Sequence, residues 1–125
     1  MPHLTLEYTG NIDQEIRVAE VFPRLHQVLE QVADVDPANC KSRAIRLDCY
    51  WIGLGDEGNA FVHLTIRLLA GRSAAVKREL GERSLRILEE YFAPSAAALA
   101  LQLTVEVVNM ERQGYFKAAS DAVAA

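Results

Sequence analysis

The sequence predicts an α/β domain of the α+β kind: a four-stranded mixed sheet with two helices on one face, made by repeating a β-α-β unit. Three observations carry this reading. The apolar residues change from a period of two to a period near 3.6 and back, twice along the chain. Residues 3–6, His-Leu-Thr-Leu, return at 63–66 as His-Leu-Thr-Ile, at an even offset that keeps the same side chains on the same face. The length is 125 residues, with 50% hydrophobic and 24% charged, which suits one closed core and no second domain.

The first strand covers residues 3–8. Leu4, Leu6 and Tyr8 share one face and His3, Thr5 and Glu7 the other, the alternation of a strand covered on one side. Thr9, Gly10, Asn11 and Asp13 then supply turn chemistry. Val18, Val21, Phe22, Leu25, Val28, Leu29 and Val32 follow the spacing of an amphipathic helix. Pro23 lies within it. Either the regular helix starts at 19–22 with Pro23 in its first turn, or an earlier start is kinked there. Asp34-Val35-Asp36-Pro37 ends the helix.

A second strand is expected over about 41–52. Its odd face holds Ile45, Leu47, Cys49 and Trp51 but is cationic at Lys41 and Arg43. Gly53, Gly55, Asp56, Gly58 and Asn59 predict a hairpin-like turn, which would make the middle strand pair antiparallel. The third strand, 60–69, places Val62, Leu64, Ile66 and Leu68 on one face. Ser73 is a candidate N-cap for a helix over 74–92, through Val76, Leu80, Ile87, Leu88 and Tyr91. Pro94 closes that helix or begins a short extra turn, and a fourth strand covers 101–109. Repeat one is thus about 2–52 and repeat two about 60–109, each with a right-handed crossover. The tail, 110–125, ends in alanines that either fray or dock. The second sheet face is neither apolar nor fully polar, the pattern of a face that packs on other subunits.

Thirteen basic residues against seventeen acidic ones give a net charge of −4. Such a chain has no general attraction for nucleic acid or anionic membrane. No apolar run approaches a membrane span of roughly 18–20 residues, and the first residues lack the pattern of a signal peptide. Cys40 and Cys49 form no Cys-x-x-Cys pair and have no zinc spacing, so they read as free thiols in a cytoplasmic protein. His3, His26 and His63 are scattered and read as structural.

Pro2 admits two readings. It can be a stiff strand starter. Alternatively, once the initiator methionine is removed, it carries a secondary amine on the covered side of the sheet with Leu4 and Leu6. Burial and neighbouring cations would lower the pKa of that amine, and an amine unprotonated near neutral pH can act as a general base.

Met-Pro-His-x-x-x-Glu-Tyr at the start, Ala-Phe-Val-His-Leu-Thr-Ile and Ala-Gly-Arg-Ser in the middle, and Tyr-Phe-Lys near the end resemble the 5-carboxymethyl-2-hydroxymuconate isomerases. These belong to the tautomerase superfamily, with 4-oxalocrotonate tautomerase and macrophage migration inhibitory factor. The resemblance covers nearly the whole chain. It implies a tautomerase-like fold, a homotrimer, a proline base at Pro2, no metal and no cofactor. It implies ketonisation of a dienol polycarboxylate in bacterial homoprotocatechuate breakdown. Residue by residue, Pro2 matches the catalytic proline and Arg72 an arginine that binds a substrate carboxylate. Lys41 stands where the family often has arginine, so the second carboxylate clamp is Lys41 or Arg43. Phe116 matches an aromatic that walls off the proline. Alternatives on the same scaffold are a tautomerase of another enol, such as phenylpyruvate, or a non-catalytic trimeric binding protein.

Overall fold

A computed structural model describes residues 1–123. Its sheet contains β1 (His3–Thr9), β2 (Lys41–Leu47), β3 (Asn59–Leu69) and β4 (Ala100–Met110), in the spatial order β2-β1-β3-β4. β1 runs parallel to β2 and antiparallel to β3, and β3 runs parallel to β4. Each parallel pair is joined through a helix: α1 (Val18–Ala33) in the first half and α2 (Ala74–Tyr91), followed by the short α3 (Ala93–Ala98), in the second. The duplicated β-α-β plan and the four-stranded mixed sheet are therefore as expected.

Two expectations need correction. β2 stops at Leu47, not near residue 52, because its partner β1 ends at Thr9. The Gly10 N–H makes the last bond, to the Leu47 carbonyl at 2.8 Å, and the alternation beyond has no strand to pair with. Nor do β2 and β3 form a hairpin. The antiparallel pair is β1 with β3, and β1 separates β2 from β3. The glycine-rich segment is a loop crossing the sheet end. There Gly55 takes φ +90 beneath the Trp51 ring, whose Nε1–H donates to the Gly53 carbonyl at 2.8 Å. This loop holds Trp51 and Leu54 exposed.

The core lies between the sheet and its helices. Leu4 and Leu6 face Ile66 and Leu64 in register, all four fully buried, with Val62 and Leu68 extending the row. α1 adds Val21, Phe22, Leu25 and Leu29, and α2 adds Leu80 and Leu88. The apolar stripes of both helices thus land on the even-numbered side of β1 and β3. α1 starts at Val18 and runs through Pro23, which leaves the Ala19 carbonyl without its usual helical donor. Asp34 closes α1 in the left-handed region, at φ 55. Ser73 caps α2 by accepting the Val76 N–H at 3.2 Å.

After β4 a 3-10 turn, Arg112–Gly114, carries the chain back toward the start of β1. Residues 118–123 are exposed, and the last two alanines lie outside the described residues. The sheet face away from the helices is mixed: Ile45 is exposed there, and His63 bonds Thr104 Oγ1 at 2.6 Å. Among the described residues no helix is long and apolar enough to cross a membrane.

Candidate active site

The first residues of β1 enter the middle of the sheet. Pro2 is buried on the helix side with Leu4 and Leu6, and its carbonyl accepts the Lys41 N–H at 3.0 Å. With Met1 attached, the Pro2 nitrogen is an amide and no base, so the free amine here belongs to Met1. Burial holds that amine below its usual pKa. Cys40 opposes the shift, while Lys41, Arg72 and Lys117 add to it. Cys40 itself is half-buried, and burial pushes its thiol up, so it stays protonated at neutral pH.

Arg72 reaches this end from the turn between β3 and α2, where Gly71 takes φ +131. Its guanidinium donates to the Leu69 carbonyl at 3.1 Å and the Ala33 carbonyl at 3.4 Å. Ala33 is the last residue of α1, and α1 has no basic residue in its own last turn. Arg72 therefore supplies the cation that this helix end favours, while staying beside the N-terminus of α2.

Lys41 and Arg43 lie on the opposite sheet face from Pro2, in register with His3 and Thr5. Lys41 donates to the Asn39 carbonyl at 3.3 Å. Arg43 donates to His3 Nδ1 at 3.1 Å, and His3 Nε2 meets the Tyr115 hydroxyl at 3.0 Å. Burial holds the His3 pKa below its usual value, and Arg43, Lys41, the Met1 amine and Arg67 push it lower. Lys117 Nζ approaches Met1 Sδ at 3.4 Å. Phe116, next to Lys117 in the chain, is 87% exposed.

Lys41, Arg43, Arg67, Arg72 and Lys117 thus all act on the Met1 amine or on His3. Among the described residues none of them has a carboxylate within 4.0 Å, which is also true of Lys77, Arg78, Arg86 and Arg112, while Arg17, Arg24, Arg46 and Arg83 each have one. A protein of net charge −4 has gathered unneutralised cations around the start of β1. Such an arrangement attracts a small polyanion and lowers the pKa of a nearby amine. Among the described residues no three His, Cys, Asp or Glu side chains gather as a metal would need.

The sequence profile of the 5-carboxymethyl-2-hydroxymuconate isomerase family matches residues 2–121. The chain belongs to that family. A 5-carboxymethyl-2-hydroxymuconate Delta-isomerase of Escherichia coli is 26% identical over 117 residues, covering 94% of this chain and 93% of the relative. The crystal structure of a 5-carboxymethyl-2-hydroxymuconate isomerase from Deinococcus radiodurans R1 is similar at 36% identity and a TM-score of 0.84, over 95% of this chain and 90% of that one. In fold alone, the chain also matches a fused 4-OT wild-type symmetric trimer, with 15% identity and a TM-score of 0.66, over 89% and 87% of the two chains. The protein is an isomerase of the tautomerase type, on the tautomerase fold.

Within this isomerase, Pro2, Lys41 and Arg72 lie at one end of the sheet, with Lys41 and Arg43 both on the face opposite Pro2. Sequence reasoning missed His3, Arg67, Tyr115 and Lys117. His3 carried a signal, since alternation puts it on the face of Lys41 and Arg43. Tyr115 and Lys117 lie in the Tyr-Phe-Lys motif that flanks Phe116, but nothing in the sequence pointed to a contact between Tyr115 and His3, which spans 112 positions.

Proposed function

We propose that this isomerase ketonises 5-carboxymethyl-2-hydroxymuconate, using the secondary amine of Pro2 once Met1 is removed. The observation that supports this is that Lys41, Arg72 and Lys117 act on the amine at the start of the chain and Arg43 and Arg67 on the neighbouring His3, none of them with a carboxylate partner among the described residues. The substrate is a dienol with three carboxylates. The amine takes the proton of the 2-hydroxyl; the electrons move along the diene, and a proton is added to the carbon at its far end. A 2-oxo-3-ene results with no net gain or loss of atoms. Arg72 and either Lys41 or Arg43 hold carboxylates and favour the charge that builds along the diene. Burial and the nearby cations Lys41, Arg72 and Lys117, which lower the pKa of the Met1 amine, would lower that of the freed Pro2 amine in the same way. An enol with one carboxylate, such as phenylpyruvate, would leave most of these cations without a partner.

The working form in this reading is a homotrimer in the bacterial cytoplasm, serving homoprotocatechuate breakdown. Exposed Ile45, Trp51, Leu54 and Phe116 are apolar surface that subunit packing would cover, and the fused 4-OT relative is a trimer. Phe116 would then wall the proline of its own or a neighbouring subunit.

The test follows the ultraviolet decay of 5-carboxymethyl-2-hydroxymuconate, with the N-terminus checked by mass. Protein beginning at Pro2 is expected to turn over substrate, and any residue left before Pro2 to lower kcat roughly a hundred- to ten-thousandfold, since the base is gone. Equal rates for the two forms would remove Pro2 from the mechanism. No rate above buffer with Pro2 free would refute the substrate.

A further inference from the structure

We propose that Tyr115 binds a substrate carboxylate through its hydroxyl and that His3 is the positioning residue that aims it. The inference rests on the polycarboxylate reading above and adds two residues to it. An arginine has donors only, so His3 Nδ1 must accept from Arg43 at 3.1 Å. His3 is then neutral with its proton on Nε2, and the bond at 3.0 Å runs from that N–H to the Tyr115 oxygen. The hydroxyl has one proton to give, and His3 cannot take it. Among the described residues Tyr115 donates to no other group. Its proton is left for a ligand.

The surroundings select an anion. Tyr115 lines a cleft of about 310 Å³ with Arg67, Asn109, Met110, Glu111 and Gly114. Arg67 is the register partner of His3, and Lys41 and Arg43 flank His3 from the other side. Arg67 and Glu111 are the charged members of the lining, and Lys41 and Arg43 add positive charge beside His3, outside it. Burial and these cations favour the neutral imidazole, and the two bonds fix which nitrogen carries its proton. A charged imidazole would repel Arg43 and could not accept from it. The ring is also in edge contact with Tyr115, at 6.0 Å between centroids, which fixes the phenol direction.

A purely structural account would make this pair a clasp for the C-terminal segment, and kinetics separate the two. With Pro2 free, Tyr115→Phe is expected to raise KM roughly ten- to hundredfold, the loss of a hydrogen bond to a charged group, while kcat falls far less. His3→Leu should raise KM similarly. His3→Gln, which places an amide N–H near the Nε2 position, should recover most of it. Unchanged KM in Tyr115→Phe overturns the proposal, as does a fall in kcat with KM unmoved. If wild-type protein fails to turn over the muconate, the reaction assigned above fails separately. Calorimetric titration with propane-1,2,3-tricarboxylate then decides: weaker binding by Tyr115→Phe than by wild type supports the carboxylate contact, and equal or absent binding overturns it.

Discussion

Replacing Arg72 with methionine separates the backbone bonds that this side chain makes from the carboxylate clamp proposed for it. Methionine keeps an apolar stem and removes the guanidinium. The bond to the Leu69 carbonyl, at 3.1 Å, is sound, and the bond to Ala33, at 3.4 Å, is near the limit of a useful one. A half-buried charged donor contributes about 1–1.5 kcal/mol through the first, discounted for solvent, and little through the second. The cation at the α1 end, where no other basic residue stands, adds about 0.3–1 kcal/mol. Urea melts should therefore show Arg72→Met less stable by about 1.5–2.5 kcal/mol, or several degrees in Tm. Loss of a carboxylate clamp should raise KM by roughly ten- to a hundredfold. Arg72→Lys should recover part of the KM, through charge, but less of the stability, having no fork to reach Leu69. Arg72 lowers the pKa of the Met1 amine; if it acts alike on the freed Pro2 amine, its removal should move the acid limb of kcat/KM to higher pH. Reduced stability with KM unchanged would mean that Arg72 only ties β3 to α1. Raised KM with stability unchanged would mean that the carbonyl bonds contribute nothing.

Two more outcomes follow from particular groups. Burial lowers the pKa of His26, which bonds Ser42 Oγ, and His3 is lowered as well, both from 6.5. The unfolded chain then binds these protons more readily, so stability is full above about pH 6.5 and declines as pH falls through the folded values. Melts between pH 7 and 5 should show this, with a smaller slope in His26→Gln; an equal slope would mean that His26 is not responsible. Gly55→Ala should cost about 1–3 kcal/mol, since it strains a backbone at φ +90 and puts a Cβ 2.3 Å from the Trp51 ring. Gly58→Ala, with nothing within 4 Å, serves as the control, and equal melts for the two variants would refute the argument.

How much was legible differs by element. β1 and β3 were readable because one face is buried along their length, so alternation and register specify each other. The end of β2 was not, because Asp48–Ile52 continues the alternation and only the length of β1 shows where pairing stops. The hairpin reading failed for a related reason. Gly53 and Gly55 do turn the chain at positive φ, but local turn chemistry cannot say which strand comes next in the sheet. Pro2, Lys41 and Arg72 were named from the family resemblance, and the structure places them at one end of the sheet. The Arg43–His3–Tyr115 chain could not be read from the sequence, since it joins the first strand to the tail through side chains with no repeating pattern.

The cations clustered at the start of β1 repel one another whenever the site is empty, and that repulsion works against folding. Neutralising any one of them without Arg72's backbone bonds, such as Lys117 or Arg67, relieves it. Selection of this protein for heat resistance alone would therefore drift toward variants that melt later and bind nothing, and a stabilisation campaign must screen for turnover at every round.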